Sequence, residues 1–227
     1  MTYLVCAFIL GCLIPFITRR LGKILPATTG LILFNLPHFP RFPKVHNPLQ
    51  HAEFRKKWLQ LLGYSLFLGC VTTILFILAK TYLPASIFLY VASFIWIILC
   101  AADADIRYLI LPDCLTIPLL LLGFLFASQT GVITPIQSVY GSLFAYLITL
   151  LAVFVLGFRK QTLFGAGDSK MAIALGSWLG VQGLNYTIFV SFFLFIIYSF
   201  LIKKRAGAYG PALGIAALLC FFILYSK

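Results

Sequence analysis

The stretch from Ala85 to Asp113 reads ASIFLYVASFIWIILCAADADIRYLILPD. Residues 85–102 contain no Asp, Glu, Lys or Arg, and most of them are large and apolar. An α-helix needs about 20 such residues to cross a lipid bilayer. The stretch therefore predicts a membrane-spanning helix that ends beside a cluster of carboxylates.

Further apolar stretches extend this interpretation in both directions along the chain. Backbone polar groups cannot remain unpaired in a bilayer, so helices are the expected structure for all of them. A shorter apolar segment, 24–37, contains Pro26 and Pro37 and is expected to lie at the interface or to re-enter the bilayer. We predict an all-α, polytopic transmembrane bundle with about eight spans, at residues 2–18, 59–79, 85–104, 115–128, 136–157, 170–183, 185–202 and 209–225.

The composition excludes an ordinary soluble domain. The 227 residues are 62% hydrophobic and 10% charged, and the mean hydropathy is +1.06. Soluble domains carry about 25% charged residues. The net charge of +12 is dispersed between apolar runs rather than clustered on one basic face, so we expect a lipid bilayer and no nucleic acid as partner.

Basic residues alternate between successive loops of the predicted bundle. Of the 17 Lys and Arg residues, 15 follow the first, third, fifth and seventh spans. Loops rich in Lys and Arg face the cytoplasm. We therefore predict eight spans with both termini on the outer side of the membrane. Residues 1–58 would hold the first helix and a basic cytoplasmic loop that includes the hydrophilic stretch 38–58, and residues 59–227 would form the transmembrane core.

Cysteine and histidine do not form a metal-binding pattern in this sequence. None of the six cysteines belongs to a C-x-x-C pair, and most lie in apolar runs, where Cys acts as a small hydrophobe. The three histidines fall in one hydrophilic stretch. We predict no metal site, because the spacing of zinc ligands is missing.

Four of the five acidic residues lie at helix junctions that the charge pattern assigns to the cytoplasmic side: Asp103, Asp105, Asp113 and Asp168. Glu53 lies in the basic loop, where a solvated charge is the simplest interpretation. Acids at membrane depth are costly and indicate function. Two carboxylates that share one proton can activate water, because one accepts the proton of the water while the other donates to a peptide carbonyl. The sequence thus predicts an aspartate dyad.

The segment Phe164–Lys170 reads FGAGDSK and begins an apolar helix. Its two glycines allow another backbone to approach closely. An acid at a helix N-terminus is also favoured by the helix dipole. When this segment is considered alone, a simple N-cap is therefore the alternative interpretation of Asp168.

Three segments together, Asp105–Asp113, Gly165–Lys170 and Tyr209–Leu213, resemble the type IV prepilin peptidases. These leader peptidases belong to the G-x-G-D class of intramembrane aspartic proteases. The resemblance covers roughly residues 85–225. It implies an aspartic endopeptidase that removes the cytoplasmic leader from type IV prepilins or pseudopilins, with water activated between two aspartates.

The resemblance also implies roles for individual residues. In the family's register the first catalytic aspartate lies seven residues before the proline of the first motif, which assigns Asp105 from Pro112. Asp103 is the alternative for this position, and the second catalytic aspartate is Asp168. The supporting residues are Asp113, Gly165, Gly167, Lys170 and Pro211.

Some interpretations stay open at this point. For Arg107 and Lys170, a positive-inside anchor is the alternative to holding the substrate or tuning the aspartates. Many bacterial members carry paired C-x-x-C motifs after the first helix and methylate the new N-terminus with S-adenosylmethionine, whereas residues 19–58 here contain no cysteine. We expect no cofactor for proteolysis, and S-adenosylmethionine only if methyltransferase activity is present. A small proton-coupled transporter, with the acids as a relay, is the alternative function.

Overall fold

Helices form every long element that the structure describes. The structure is a computed structural model, which describes residues 2–24, 48–157, 165–202 and 208–226. Residues 25–37 of the predicted interfacial segment lie outside these ranges. A 3₁₀ turn at Ala85–Ile87 precedes the third helix. The predicted all-α class is confirmed for the described residues, whose helices are α1 (Thr2–Ile24), α2 (Pro48–Tyr82), α3 (Phe88–Tyr108), α4 (Asp113–Thr130), α5 (Pro135–Gly157), α6 (Ala166–Ile202) and α7 (Gly210–Tyr225).

The helices have the length and composition of membrane spans. Among the described residues six of them are apolar and long enough to cross a bilayer, and α7 is a shorter apolar helix. Large apolar side chains remain exposed on their outer faces, including Phe189 at 75% and Leu151 at 63%. Lipid tails accept such a surface, whereas water would not. The six candidate spans are Thr2–Gly22, Trp58–Tyr82, Ala85–Tyr108, Asp113–Thr130, Pro135–Ala152 and Gly167–Phe200.

The predicted hydrophilic loop at 38–58 is wrong in its last part, because α2 begins at Pro48. Proline is well suited to the first turn of a helix, where its missing N–H costs nothing. The residues that follow include Ala52, Glu53, Lys56 and Lys57, all of which favour helix. The hydrophilic residues 48–58 therefore extend α2 as a polar helical segment and do not form an irregular loop before it.

The chain divides into two compact units, Met1–Ile77 and Leu78–Lys227. In the first unit, α1 and α2 pack closely through small residues. The Thr72 hydroxyl donates a hydrogen bond to the carbonyl oxygen of Ala7 at 3.0 Å, and Ser65 donates to that of Cys12 at 2.6 Å. A Cβ atom on Gly69 would lie 2.7 Å from the Cys12 sulfur. The predicted division at residues 58 and 59 stays a prediction.

An aromatic cluster forms the core of the second unit. The ring centroid of Trp178 on α6 lies 4.5 Å from that of Phe94 on α3 and 5.0 Å from that of Phe126 on α4. Phe221 on α7 lies 5.1 Å from Phe94. The Trp178 indole N–H donates a hydrogen bond to the Leu119 carbonyl at 2.8 Å, so the one polar atom of this side chain is paired although the residue is fully buried.

The helix α6 reverses direction at Gly180. This residue has non-helical backbone angles, φ 64° and ψ −175°, which glycine adopts without the penalty that a Cβ atom would bring. Asp168 and Ile188 line the same cavity although a straight helix would separate them by about 30 Å. The residues on either side of Gly180 are therefore two arms that run back along each other, close to the predicted helices 170–183 and 185–202.

Glycines set the distance between α5 and the first arm of α6. A Cβ atom on Gly176 would overlap the carbonyl oxygen of Gly141 and lie 2.8 Å from the amide nitrogen of Ser142. At the same crossing the Ser138 hydroxyl donates to the Ser177 carbonyl at 2.6 Å. Small residues and interhelical hydrogen bonds of this kind hold helices together in lipid, where hydrophobic burial gives little.

We predict that Gly176→Ala destabilises the protein while Gly63→Ala does not. The first substitution forces α5 and α6 apart, and overpacking of this kind costs about 1–3 kcal/mol. Gly63 lies in α2 with no atom within 4 Å of its added Cβ, so alanine there should stabilise the helix by about 0.5–1 kcal/mol. Melting temperatures in detergent measure both effects. Equal melting temperatures for the two variants would contradict the proposed close contact.

Candidate active site

The end of α3 presents two aspartates to different partners. Asp105 is 6% exposed, and its Oδ2 accepts a hydrogen bond from the backbone N–H of Gly210 at 2.8 Å. Asp103, 2% exposed, accepts a hydrogen bond from Nε of Arg107 at 2.9 Å, one helical turn later. Because the two positions lie about 200° apart around the helix, Asp103 forms an ion pair within its own helix while Asp105 contacts the start of α7.

The turn after α3 has an unusual backbone. Leu109 caps the helix in the left-handed conformation, with φ 53° and ψ 34°, and its N–H donates to the carbonyl oxygen of Asp105 at 2.9 Å. Glycine is the usual residue at such a cap, because a side chain there costs free energy. This cap directs the chain through Leu111 and Pro112 into α4, and backbone conformations of this kind cluster at functional sites.

Asp168 lies in the first turn of α6, directly after two glycines. The backbone of Gly165 hydrogen-bonds its carboxylate. A Cβ atom on Gly167 would lie 2.8 Å from Cβ of Leu111, in the loop between α3 and α4. The predicted glycines thus have distinct roles: Gly165 holds the carboxylate, and Gly167 lets the start of α6 approach the first motif.

Asp105 and Asp168 come together in the folded protein. Their carboxylates lie close enough to interact electrostatically. Each carboxylate also contacts the N-terminal end of a helix. Asp168 belongs to the first turn of α6, and Asp105, although it is part of α3, accepts the first N–H of α7. Helix N-termini favour negative charge, which offsets part of the electrostatic cost of having the two carboxylates near each other.

Tyr209 and Ser191 complete the surroundings of Asp168, and neither was predicted as a site residue. The two hydroxyl oxygens lie 2.5 Å apart in a hydrogen bond, and the Tyr209 ring packs edge-on against Phe195. Tyr209 also interacts electrostatically with Asp168. These contacts attach the segment before α7 to the second arm of α6, so that Gly210 is held beside Asp105. Pro211, a predicted supporting residue, occupies the first turn of α7.

Lys170 and Asp113 form an ion pair at the edge of this site. Nζ of Lys170 lies 2.6 Å from Oδ1 of Asp113, and both side chains are partly exposed. Asp113 is in the first turn of α4, so the pair joins the starts of α4 and α6. To the interpretations of Lys170 drawn from the sequence, the structure adds a contact between the two motifs.

The described residues contain no group of three or more His, Cys, Asp or Glu side chains that could hold a metal ion. The site consists instead of two carboxylates, backbone N–H groups and one phenol. This set of groups can accept and donate protons, which is the chemistry of general acid–base catalysis.

Comparisons with known proteins agree with this reading. Residues 92–200 match the model of the type IV leader peptidase family. The resemblance predicted from the sequence is thereby confirmed for the part of the chain that carries Asp103, Asp105, Asp113 and Asp168. Together with the apolar helices, this family match identifies the chain as a multi-pass membrane protein.

Three relatives that are each named a prepilin leader peptidase/N-methyltransferase illustrate the extent of the similarity. The protein of Neisseria gonorrhoeae is 38% identical over 125 residues, which are 52% of this chain and 42% of that protein. The protein of Vibrio cholerae is 28% identical over 124 residues, 52% of this chain and 49% of that protein. The protein of Dichelobacter nodosus is 36% identical over 134 residues, 56% of this chain and 46% of that protein. The chain thus spans less than half the length of these relatives, and no solved structure matches it.

We predict a small but measurable coupling between Asp113 and Lys170. Exposed ion pairs contribute about 0.2–1 kcal/mol, and this pair also joins two separate helix starts. Melting or denaturant curves of Asp113→Asn, Lys170→Met and the double variant should give an interaction free energy in that range. Additive effects of the two substitutions would mean that the ion pair does not join the motifs in solution.

Proposed function

We propose that this protein is a membrane-embedded aspartic endopeptidase that removes the leader from type IV prepilins or pseudopilins. The observation that carries the proposal is that Asp105 and Asp168, far apart in the sequence, both lie against the segment 209–210. The Gly210 N–H donates to Asp105, and Tyr209 lines one cavity with Asp168. The family match over residues 92–200 supports the same activity. The names of the relatives in Neisseria gonorrhoeae and Vibrio cholerae supply the substrate class.

The proposed mechanism uses a dyad that holds one proton. Like charges at close range cannot both ionise readily, so one carboxyl group remains protonated at working pH. The ionised carboxylate accepts a proton from a water molecule as that water attacks the scissile carbonyl carbon. The protonated partner donates to the carbonyl oxygen. The resulting tetrahedral intermediate breaks its C–N bond as the first carboxyl group passes the water's proton to the leaving amine, and the partner takes a proton back from the diol.

Backbone groups of the site keep the dyad in position during this reaction. The Gly210 N–H binds one oxygen of Asp105 and leaves the other oxygen for water or substrate. The backbone of Gly165 also hydrogen-bonds the carboxylate of Asp168. Hydrogen bonds that are formed before the reaction need no reorganisation as the transition state is reached. They therefore lower the barrier.

We also propose eight membrane crossings, with both termini periplasmic and the dyad at the cytoplasmic side of the bacterial inner membrane. The alternation of basic loops supports this orientation. The reversal at Gly180 supports counting the two arms of α6 as separate crossings. A dyad at this side would meet a leader that remains in the cytoplasm and a substrate helix that lies in the bilayer.

The proposed proteolysis requires no cofactor, since two carboxylates and a water molecule suffice. The relatives' names include N-methyltransferase, which would require a methyl donor such as S-adenosylmethionine. The cavity beside Asp168 has a volume of about 110 Å³, and cofactor sites occupy about 300–1,000 Å³. That cavity does not fit the methyl donor, and we derive no methyl transfer from it.

We predict that Asp105→Asn and Asp168→Asn each abolish cleavage of a prepilin, while Asp103→Asn retains it. An amide cannot accept the proton of the attacking water, so the loss should exceed about a thousandfold. Asp103 pairs with Arg107 and lies about 200° around α3 from Asp105, which makes it the matched control. Mass spectrometry of the substrate N-terminus measures cleavage in detergent. Cleavage by the native protein should be the same with and without EDTA, because the proposed site uses no metal. If Asp103→Asn is inactive and Asp105→Asn is active, Asp103 rather than Asp105 is the catalytic residue. If all three variants are fully active, the proposed activity is refuted.

We predict opposite accessibility for the two ends of α4. In a variant whose native cysteines are replaced, Gln129→Cys should react with a membrane-impermeant thiol reagent on intact spheroplasts. Ile110→Cys, which precedes α4 and is also exposed, should react only after lysis. The reverse pattern would overturn the proposed orientation.

A further inference from the structure

A second cavity lies at the end of the second unit where α6 reverses direction. It has a volume of about 350 Å³ and is lined by the loop between α4 and α5, the first turns of α5, the reversal at Gly180 and the last turn of α7. Because the 18 residues of α4 separate this end from the first motif, the cavity lies about 25 Å from the dyad. This space, the Gly180 cavity, is therefore too distant to take part in the proposed cleavage.

The polar groups of the Gly180 cavity carry no formal charge. None of the described residues that line it is Asp, Glu, Lys or Arg. Its polar side chains are the amides of Gln137 and Gln182 and the phenols of Tyr140 and Tyr225. Such walls offer hydrogen bonds but give an ion of either sign no counter-charge. They therefore favour a polar ligand whose net charge is zero.

Two of these four side chains are available to a ligand. The hydroxyl of Tyr225 already donates to a main-chain carbonyl of the first arm of α6 at 3.2 Å, and Oε1 of Gln137 accepts a backbone N–H at the start of its own helix at 3.2 Å. Within the described part of the chain, no hydrogen bond uses the amide of Gln182 or the hydroxyl of Tyr140, and both residues are exposed. An amide presents a donor and an acceptor side by side, and a phenol adds a further donor.

The lipid-facing surface of the unit begins directly beside this cavity. On α5, the large apolar residues Ile136 and Val139 flank the lining residues and are exposed, and Phe189 is exposed on the second arm of α6. Tyrosine is enriched at the level of lipid headgroups, and two tyrosines line the cavity. A molecule that fills the cavity and continues along these faces needs a polar head and apolar tails. In the proposed orientation, the outer leaflet of the bilayer supplies it.

We propose that the Gly180 cavity binds the headgroup of a zwitterionic phospholipid. The amide N–H of Gln182 and the hydroxyl of Tyr140 donate to the phosphate oxygens, and the amide oxygen of Gln182 accepts from the ammonium group. An anionic phospholipid would bring an uncompensated charge into this cavity. The net charge of +12 attracts anionic lipid to the protein in general, so a preference for the zwitterion distinguishes this site from ordinary lipid contact.

The same contacts give the bound lipid an effect on stability. Tyr140 belongs to α5 and Gln182 to the second arm of α6, so one headgroup joins the two elements beside the reversal. A ligand that binds the folded protein alone raises the melting temperature. Lipid at this position should therefore stabilise the fold from the end opposite to the dyad.

Two substitutions remove the proposed hydrogen bonds with little change of shape: Gln182→Leu and Tyr140→Phe. The same exchanges at residues that do not line the cavity provide matched controls, Gln129→Leu in the last turn of α4 and Tyr186→Phe on the second arm. All four residues are exposed, and the two tyrosines match closely at 59% and 62%. Melting temperatures without lipid check that the variants fold.

The test uses the full chain, purified in detergent and freed of lipid. Native mass spectrometry counts bound molecules as phosphatidylethanolamine, phosphatidylglycerol or the soluble headgroup glycerophosphoethanolamine is added. We expect one phosphatidylethanolamine to bind about tenfold more tightly than phosphatidylglycerol and to raise the melting temperature. The combined Gln182→Leu and Tyr140→Phe variant should lose both effects, each single variant should weaken binding about threefold, and the combined control variant should keep the native values.

The contrary outcomes are specific. Equal or tighter binding of phosphatidylglycerol overturns the proposal, and so does an equal loss of binding in the control variant. A melting shift with glycerophosphoethanolamine alone assigns the cavity to a soluble phosphodiester rather than to a lipid. A native dimer that the cavity substitutions dissociate assigns it to a second copy of the chain. If the combined variant does not fold, the single variants decide. None of these measurements uses cleavage, so the proposed peptidase function is tested separately.

Discussion

The hydrogen bond from the Gly210 N–H to Oδ2 of Asp105 joins residues 105 positions apart in the chain, and the rest of the site is arranged around it. It requires the start of α7 to touch the last turn of α3. A Cβ atom on Gly210 would lie 2.7 Å from the same oxygen, so only glycine allows this approach. The bond also compensates a carboxylate that would otherwise be buried without a partner, which is costly at membrane depth. The contact of Tyr209 with Ser191 holds the residue before Gly210, and Tyr209 lines the same cavity as Asp168.

Close approach of backbones is the recurring device of this fold. In lipid there is little gain from moving an apolar side chain from one apolar neighbour to another, so helices associate through shape and hydrogen bonds. Gly141 and Gly176 at the crossing of α5 and α6, and Gly167 against Leu111, all permit contacts that a side chain would block. The aromatic cluster around Trp178 fills the wider space between α3, α4, α6 and α7.

The helices and the acidic motifs could be predicted from the sequence, because hydrophobic runs and charge alternation are local signals. The extension of α2 back to Pro48 could not, since a polar helix has no apolar period to reveal it. The roles of Ser191 and the cavity were also beyond prediction. A serine in an apolar run carries no signal of its partner, and an empty space depends on how several helices pack. The register of the family that the sequence resembles selected Asp105 over Asp103, and this choice stays a prediction, although the structure gives the two residues separate partners.

The two aspartates of α3 also differ in when their partners are synthesised. Arg107 lies one turn from Asp103, so that ion pair can form as soon as α3 itself is helical. Asp105 must wait for Gly210, and ribosomes add about 5–20 residues per second, so the delay is about 5–20 s. During this interval Asp103 can already be paired, whereas Asp105 lacks the N–H that it accepts in the folded protein. Helix α7 is therefore the element that completes the burial of Asp105 on α3.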